Sequence, residues 1–319
     1  MQRIVITEFM DGAAVDSLHA AFDVLYAPAL VDQPAGLRAA VAPADALIVR
    51  NRTEVNAALL DAAPRLAVVG RLGVGLDNID VAACRARNID VIAATGANAL
   101  AVAEYVMCTA MLLLRGAYVA GTEVAAGKWP RAKLSEGREI GGKCLGLVGF
   151  GGIGRLVATL AHALGMRVVA HDPAISAGDP LWAQHAVTPL ALDALFAAAD
   201  VVSLHVPLQD TTRNLVGAER LALMKRDAVL INTSRGGIVD EAALATALKE
   251  GRLGGAALDV YAAEPLAAGS PLADAPNLVL TPHIAGVTAE SNVRVSCLIA
   301  QRVTAALQAT HARPRANAR

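Results

Sequence analysis

Residues 143–172 read KCLGLVGFGGIGRLVATLAHALGMRVVAHD. A short apolar run, Cys144–Val148, passes into Gly149-Phe150-Gly151-Gly152-Ile153-Gly154 and then into a helix-like stretch, Ile153–Leu164. This is the GxGxxG pattern in the strand–turn–helix setting it needs. Gly149 permits the tight turn, Gly151 lets the backbone approach a pyrophosphate, and Gly154 lets helix and strand pack. The start of the helix then offers free N–H groups and a positive dipole end to the phosphates. The next strand, Arg167–Ala170, leads to Asp172, 18 residues past Gly154. An acidic residue near that spacing accepts hydrogen bonds from an adenosine ribose. Its charge repels a 2′-phosphate, and no Lys or Arg occurs from Asp172 to Gln184. The pattern favours NAD over NADP. Either feature alone is weak, since Asp172 could also cap a helix or a turn before Pro173; the two together carry the reading.

The same alternation extends outward. Further strand-like runs are Ile4–Thr7, Ala46–Val49, Ala67–Val69, Val91–Ala93, Val201–Leu204, Val229–Asn232 and Leu278–Thr281, with helix-like stretches at Ala99–Arg115, Ala191–Ala198 and Glu241–Lys249. Strands alternating with helices predict βαβ units, hence an α/β protein with doubly wound parallel sheets. Runs that are apolar throughout, not every second residue, predict burial on both faces. At about 150 residues per domain, a chain of 319 residues predicts two domains. Residues 115–143, rich in glycine and charge, interrupt the alternation and read as a long connection or an oligomer-contact arm. The basic tail HARPRANAR is expected to fray.

Composition closes off other classes. Lys and Arg number 28 against 29 Asp and Glu, and aromatics make up 3 %. Without clustered cations or stacking platforms, a nucleic-acid partner is not expected. The apolar stretch Tyr105–Leu114 is bounded by Glu104 and Arg115, short of the about 20 residues that span a bilayer, so no membrane is expected. The start, MQRIVITEF, reads as a buried strand and not as a signal core. Cys84, Cys108, Cys144 and Cys297 lie far apart with no CxxC pair. They read as packing residues of a reduced, cytoplasmic protein without a structural metal.

Three later segments share one design, an apolar strand followed by polar residues: VLINTSRGGIVDE with Arg235, GAALDVYAAEPL with Asp259 and Glu264, and LVLTPHIAGVT with His283. Ligands of open parallel sheets bind beyond the carboxyl ends of the strands, so the three are expected to converge. The residue types suit hydride transfer between an alcohol and a ketone. His283 titrates near neutral pH and can take the hydroxyl proton. Glu264 would orient the ring and stabilise its charge, and the planar fork of Arg235 suits a substrate carboxylate. Singly, each has a plainer reading as a turn residue. His205 ends a strand and is a candidate to line the cofactor cleft.

With these segments assembled, the chain resembles the D-isomer-specific 2-hydroxyacid dehydrogenases over nearly its whole length. The likeness rests on GRLGVGLDNID (70–80), ALAVAEYVMCTAMLLLR (99–115), LGLVGFGGIG (145–154), HVPLQDTTRNLV (205–216), INTSRGGIVDE (231–241), ALDVYAAEPL (257–266) and TPHIAG (281–286). It implies Arg235 as carboxylate anchor, Glu264 as partner of the histidine and His283 as acid/base. It implies NAD contacts from Gly149, Gly151, Gly152, Ile153, Gly154, Asp172, His205, Val206, Pro207, Thr212, Thr233, Ser234, Arg235, Asp259, His283, Ala285 and Gly286. Backbone at Gly73, Val74 and Gly75 is implied to meet the substrate carboxylate. A Rossmann cofactor domain, 98–286, is expected to be inserted into a discontinuous flavodoxin-like substrate domain, 1–97 with 287–319. A homodimer is implied, built on the cofactor domains and the arm. GRLGVGLDNID and LIVRNRTEV resemble the 3-phosphoglycerate dehydrogenase branch and its sulfolactate dehydrogenase relatives. Arg50, Arg52 and Arg71 follow strands there and are candidates for a second anionic group; the other reading is solvated strand-end charge. Val74 stands where phosphoglycerate dehydrogenases often have Thr. Corepressors of this fold and phosphite dehydrogenases keep a similar triad and stand as alternative readings.

Overall fold

A computed structural model describes residues 1–312. Of the tail HARPRANAR, residues 311 and 312 close the helix Ala289–Ala312 and the rest lies outside the described residues. The chain divides into two compact units: Met1–Asn98 together with the segment from Val287 onward, and Ala99–Gly286.

The first unit is built on β1 (Arg3–Ile6), β2 (Asp23–Tyr26), β3 (Ala46–Val49), β4 (Val68–Arg71) and β5 (Asp90–Ala93). Their order is β2-β1-β3-β4-β5 and every pair is parallel. This is the flavodoxin-like doubly wound order. One face of the sheet packs with Leu18, Phe22, Ile299 and Val303, the other with Val41, Leu59, Leu60 and Cys84. The helix Ala289–Ala312 comes in so close that a Cβ on Gly70 would stand 2.8 Å from a Val303 methyl. A glycine in β4 thus lets the end of the chain close the core of its beginning.

The second unit carries β6 (Cys144–Val148), β7 (Arg167–His171), β8 (Thr188–Pro189), β9 (Val201–Leu204), β10 (Val229–Asn232), β11 (Gly255–Leu258) and β12 (Leu278–Leu280). The order is β12-β11-β10-β9-β6-β7-β8, again parallel throughout. It is the Rossmann order with one strand added, and the chain reverses direction of growth between β6 and β9. Every residue of β6, β9, β10 and β11 is buried, which explains their unbroken apolar sequences. Each fully buried Leu or Ile side chain contributes about 1.5–3 kcal/mol. The helices Ala99–Arg115 and Gly152–Ala163 meet through Ala103, Val106, Ala110, Val157, Ala158 and Ala161.

Two strands escape the sequence reading. β2 is an edge strand with no buried residue, and β8 has two residues; neither has the four or five buried positions that mark the central strands. In the interrupting segment lie three short pieces, Ala117–Ala120, Gly121–Ala125 and Arg131–Leu134. Among the described residues no helix is long and apolar enough to cross a membrane.

Candidate active site

The glycines of the loop after β6 fall into two classes. Gly149 has φ +94°, and a Cβ there would stand 2.3 Å from the His205 carbonyl oxygen. A Cβ on Gly154 would stand 2.5 Å from the Gly149 oxygen. The fold itself requires these two. Gly151 and Gly152 have nothing within 4 Å of a built Cβ. The packing places no demand on them, so the open space beside them is what their lack of a side chain preserves. Gly151 is the N-cap of Gly152–Ala163 and supplies no side-chain cap. The N–H groups of the first turn are therefore left for a ligand.

Asp172 follows β7 and reaches back to this loop. Its Oδ2 accepts from Phe150 N–H at 2.9 Å and its Oδ1 from Ala174 N–H at 3.0 Å. A carboxylate has about four acceptor positions, so two remain for ribose hydroxyls. Thr233, after β10, has a buried Oγ1 with no hydrogen-bond partner among the described residues. Open glycines, an uncapped helix start, a carboxylate with acceptors to spare and an orphaned hydroxyl all fit a dinucleotide.

Other residues assigned to the cofactor hold the loops together. His205 lies on Gly149 through its carbonyl, and Val206 packs there through a methyl. Ser203 Oγ lies 3.0 Å from His205 Nε2. Burial pushes the His205 imidazole down to about 4, so it stays neutral. Thr212 Oγ1 donates to Pro207 O at 2.7 Å and accepts from Gln209 N–H at 2.8 Å. Ser234 Oγ donates to Leu204 O.

The histidine turn is organised by a buried carboxylate. Asp259 Oδ1 accepts from Thr281 Oγ1 at 2.6 Å and Ile284 N–H at 2.8 Å; its Oδ2 accepts from Ala285 N–H at 2.8 Å. Its carbonyl accepts from His283 N–H at 2.8 Å. Asp259 is thus a hub of the turn, with most of its acceptor positions taken. His283 is held at φ +56°. That left-handed conformation costs a residue with a Cβ about 1–2 kcal/mol, which the turn's hydrogen bonds offset. The ring projects with its side chain 46 % exposed.

His283 Nδ1 lies 2.7 Å from Glu264 Oε2. The carboxylate accepts only, so Nδ1 carries the hydrogen and Nε2 is left with its lone pair. The other oxygen, Oε1, accepts from Tyr261 N–H at 3.0 Å, which fixes the carboxylate from behind. The Tyr261 hydroxyl shares its one hydrogen between Leu258 O and Thr281 O, at 3.0 and 2.9 Å. Burial, with the Asp259 charge, pushes that hydroxyl up to about 12.

Arg235 follows β10 at the same end of the sheet as Glu264 and His283. Asn232 Nδ2 donates to its carbonyl at 2.9 Å, and Arg235 Nη1 donates to Ser234 O at 2.6 Å. Gly236 lies so close to Tyr261 O that a Cβ would meet it. The arginine turn therefore rests on the residue whose N–H anchors Glu264.

In the first unit, the Arg71 guanidinium folds over Gly73 where a Cβ would stand and donates to Leu72 O at 3.3 Å. Val74 is exposed and Gly75 half-buried. Arg50 donates to Asn292 Oδ1 at 2.9 Å and lies 5.9 Å over the Phe9 ring. Arg52 is paired with Asp32 on the surface. Glu8 accepts from four successive N–H groups, those of Arg50, Asn51, Arg52 and Thr53, at 2.8–3.1 Å. Burial alone would raise the Glu8 carboxyl, but those four donors outweigh it and hold the group below its ordinary range.

Sequence reasoning passed over Glu8, Tyr105, Tyr261 and Thr281. The available signal was the Tyr105 hydroxyl within the largely apolar helix Ala99–Arg115; buried hydroxyls need partners. Among the described residues no cluster of His, Cys, Asp and Glu is arranged to hold a metal ion.

A family model described as the NAD binding domain of D-isomer specific 2-hydroxyacid dehydrogenases matches residues 107–285. The chain is 52 % identical over 307 residues to an (S)-sulfolactate dehydrogenase of Chromohalobacter salexigens, covering 96 % of this chain and 99 % of that one. It is 39 % identical over 322 residues to a D-3-phosphoglycerate dehydrogenase of Synechocystis, covering 99 % of this chain and 56 % of that protein, so it spans just over half of that relative. Among solved structures, the D-lactate dehydrogenase of Aquifex aeolicus, complexed with NAD and lactic acid, superposes with a TM-score of 0.84 at 26 % identity, covering 98 % of this chain and 97 % of that one.

Proposed function

The chain belongs to the D-isomer-specific 2-hydroxyacid dehydrogenase family, and on that premise we propose a division of labour among its residues and a substrate class. It is an NAD-dependent oxidoreductase that interconverts a 2-hydroxy acid and its 2-oxo acid. The observation that carries the assignment of roles is the 2.7 Å contact between His283 Nδ1 and Glu264 Oε2. In oxidation, His283 Nε2 takes the proton of the substrate hydroxyl. In reduction, the protonated ring gives it to the keto oxygen. Glu264 holds the ring in the right tautomer and stabilises its charge. Arg235 binds the substrate carboxylate and polarises the adjacent carbonyl. NAD, when bound, supplies the hydride acceptor or donor. The first turn of Gly152–Ala163 holds its pyrophosphate, Asp172 its adenosine ribose, and Thr233 supplies a further hydrogen bond.

We propose a substrate with a second anion, of the sulfolactate type. The 52 % identity to a sulfolactate dehydrogenase supports this. The stereochemistry is consistent: a sulfonate-bearing carbon outranks a carboxyl in naming, so (S)-sulfolactate has the spatial arrangement of D-lactate. The test follows NADH absorbance with sulfopyruvate, phosphohydroxypyruvate, hydroxypyruvate, glyoxylate and pyruvate. Sulfopyruvate is expected to give the highest kcat/KM. Equal or better use of pyruvate and glyoxylate would reject the second anion, and no turnover of any of the five would reject the roles.

We also propose a homodimer. Residues 121–129 are exposed throughout, and Tyr118 and Trp129 are 70 % and 77 % exposed. Aromatic side chains left this bare fit a surface covered by a second copy. Sedimentation velocity should give a dimer mass, and Trp129→Asp should shift it toward monomer. The four unpaired cysteines fit a reducing compartment, the cytoplasm.

A further inference from the structure

Tyr105 lies 176 residues before Thr281, and the two hydroxyls are 2.6 Å apart. Thr281 Oγ1 donates its single hydrogen to Asp259 Oδ1 at 2.6 Å. At the contact with Tyr105 the tyrosine must therefore be the donor. Burial raises the Tyr105 hydroxyl above its ordinary range, so the donor persists at any working pH. The result is a directed chain, Tyr105 O–H to Thr281 O–H to Asp259, in which each bond polarises the next.

The chain ends on the turn that carries the acid/base. Asp259 takes the N–H groups of His283, Ile284 and Ala285. Thr281 is held at three further points: its N–H donates to Leu258 O, and its carbonyl accepts from Tyr261 O–H and His283 N–H. His283 keeps a left-handed backbone inside this frame. Tyr105 is the one contributor to the chain that stands on a long helix, Ala99–Arg115, packed into the core of the unit. It ties a strained turn to a rigid element.

We propose that Tyr105 is a positioning residue for His283, acting through Thr281 and Asp259 to hold the ring against Glu264. The proposal rests on His283 being the acid/base, as above. It predicts that losing one hydroxyl far from the reacting atoms slows proton transfer without loosening the cofactor.

The test uses the full chain with Tyr105→Phe. Active sites are counted by NADH fluorescence titration, and kcat is expressed per NADH-binding site with the best 2-oxo acid. The expected result is a fall in kcat of about tenfold, with the NADH Kd and the KM of the oxo acid within about twofold. A kcat per binding site equal to wild type overturns the proposal, even if the variant is less thermostable. The pair Thr281→Val and Thr281→Ser gives a second reading should Tyr105→Phe not fold. Valine breaks the chain and should reproduce the loss, whereas serine keeps the hydroxyl and should restore most of kcat. Equal activity of the two would also overturn it. His283→Asn separates the premise: if that variant keeps turnover, the acid/base assignment fails; if it does not, a silent Tyr105→Phe condemns the positioning role alone.

Discussion

A Cβ on Gly236 would stand 1.6 Å from the carbonyl oxygen of Tyr261. The same residue's N–H anchors Glu264. The arginine turn and the carboxylate that orients the histidine are thus referenced to one another through backbone. Gly236→Ala should force the two segments apart. The expected loss is about 2 kcal/mol or more of stability, with a raised KM for the oxo acid as Arg235 is displaced. Thermal melts and steady-state kinetics check both, and a variant that melts and binds like wild type contradicts the packing.

The loop after β6 allows a cleaner separation. Gly154→Ala meets the Gly149 oxygen and should destabilise the unit. Gly151→Ala meets nothing, so its stability should change by less than about 0.5 kcal/mol while NADH affinity drops by about tenfold or more. Calorimetry set beside NADH titration is the check; parallel losses in both for Gly151→Ala would remove the argument that its open face receives the dinucleotide.

His283→Ala should lower kcat by about 10² to 10⁴ with the NADH Kd unchanged. Glu264→Gln retains an acceptor for Nδ1–H but loses the charge, so its loss should be smaller. Arg235→Lys lacks the planar fork and should raise the oxo-acid KM by about tenfold or more. Unaltered KM in that variant counts against the carboxylate anchor.

Asp172 pins the loop as well as being the proposed acceptor for the ribose. Asp172→Ala frees the N–H groups of Phe150 and Ala174, so any gain in NADPH use should come with weaker NADH binding. Asp172→Asn removes the charge yet keeps an acceptor, and should admit NADPH with a smaller penalty. Kd values for both cofactors decide; continued exclusion of NADPH by both variants would mean that another residue selects.

The pH dependence of stability follows from His205. Its ordinary value is 6.5, and burial pushes it down to about 4. Between those values the unfolded chain binds a proton that the folded chain refuses, so stability rises with pH across the window. The contribution is complete above pH 6.5 and is lost as pH falls toward 4; it is on the order of 3 kcal/mol. His205→Gln should flatten the slope of Tm against pH in that range. An unchanged slope would show that the ring is not the proton acceptor.

Much of this architecture could be read from residue order. Strands buried on both faces announce themselves as apolar runs, and Ala46–Val49, Cys144–Val148, Val201–Leu204 and Val229–Asn232 have the bounds expected of them. The helix Ala99–Arg115 does too. β2 was not legible because an exposed edge, DVLY, has no hydrophobic contrast. That Arg235, Glu264 and His283 lie at one end of a parallel sheet could be expected because they follow β10, β11 and β12, and the structure sets His283 beside Glu264. The Tyr105–Thr281 contact was not, since it joins positions that only the assembled fold brings together. Arg52 shows the opposite limit: a charge after a strand says nothing of its partner, and Asp32 takes it.

The two kinds of glycine after β6 also form a record of use. A descendant that gave up its dinucleotide would still need Gly149 and Gly154 to fold, but selection would release Gly151 and Gly152, and side chains should accumulate there first. Silent members of such a lineage are then recognisable by a half-eroded loop on an intact scaffold.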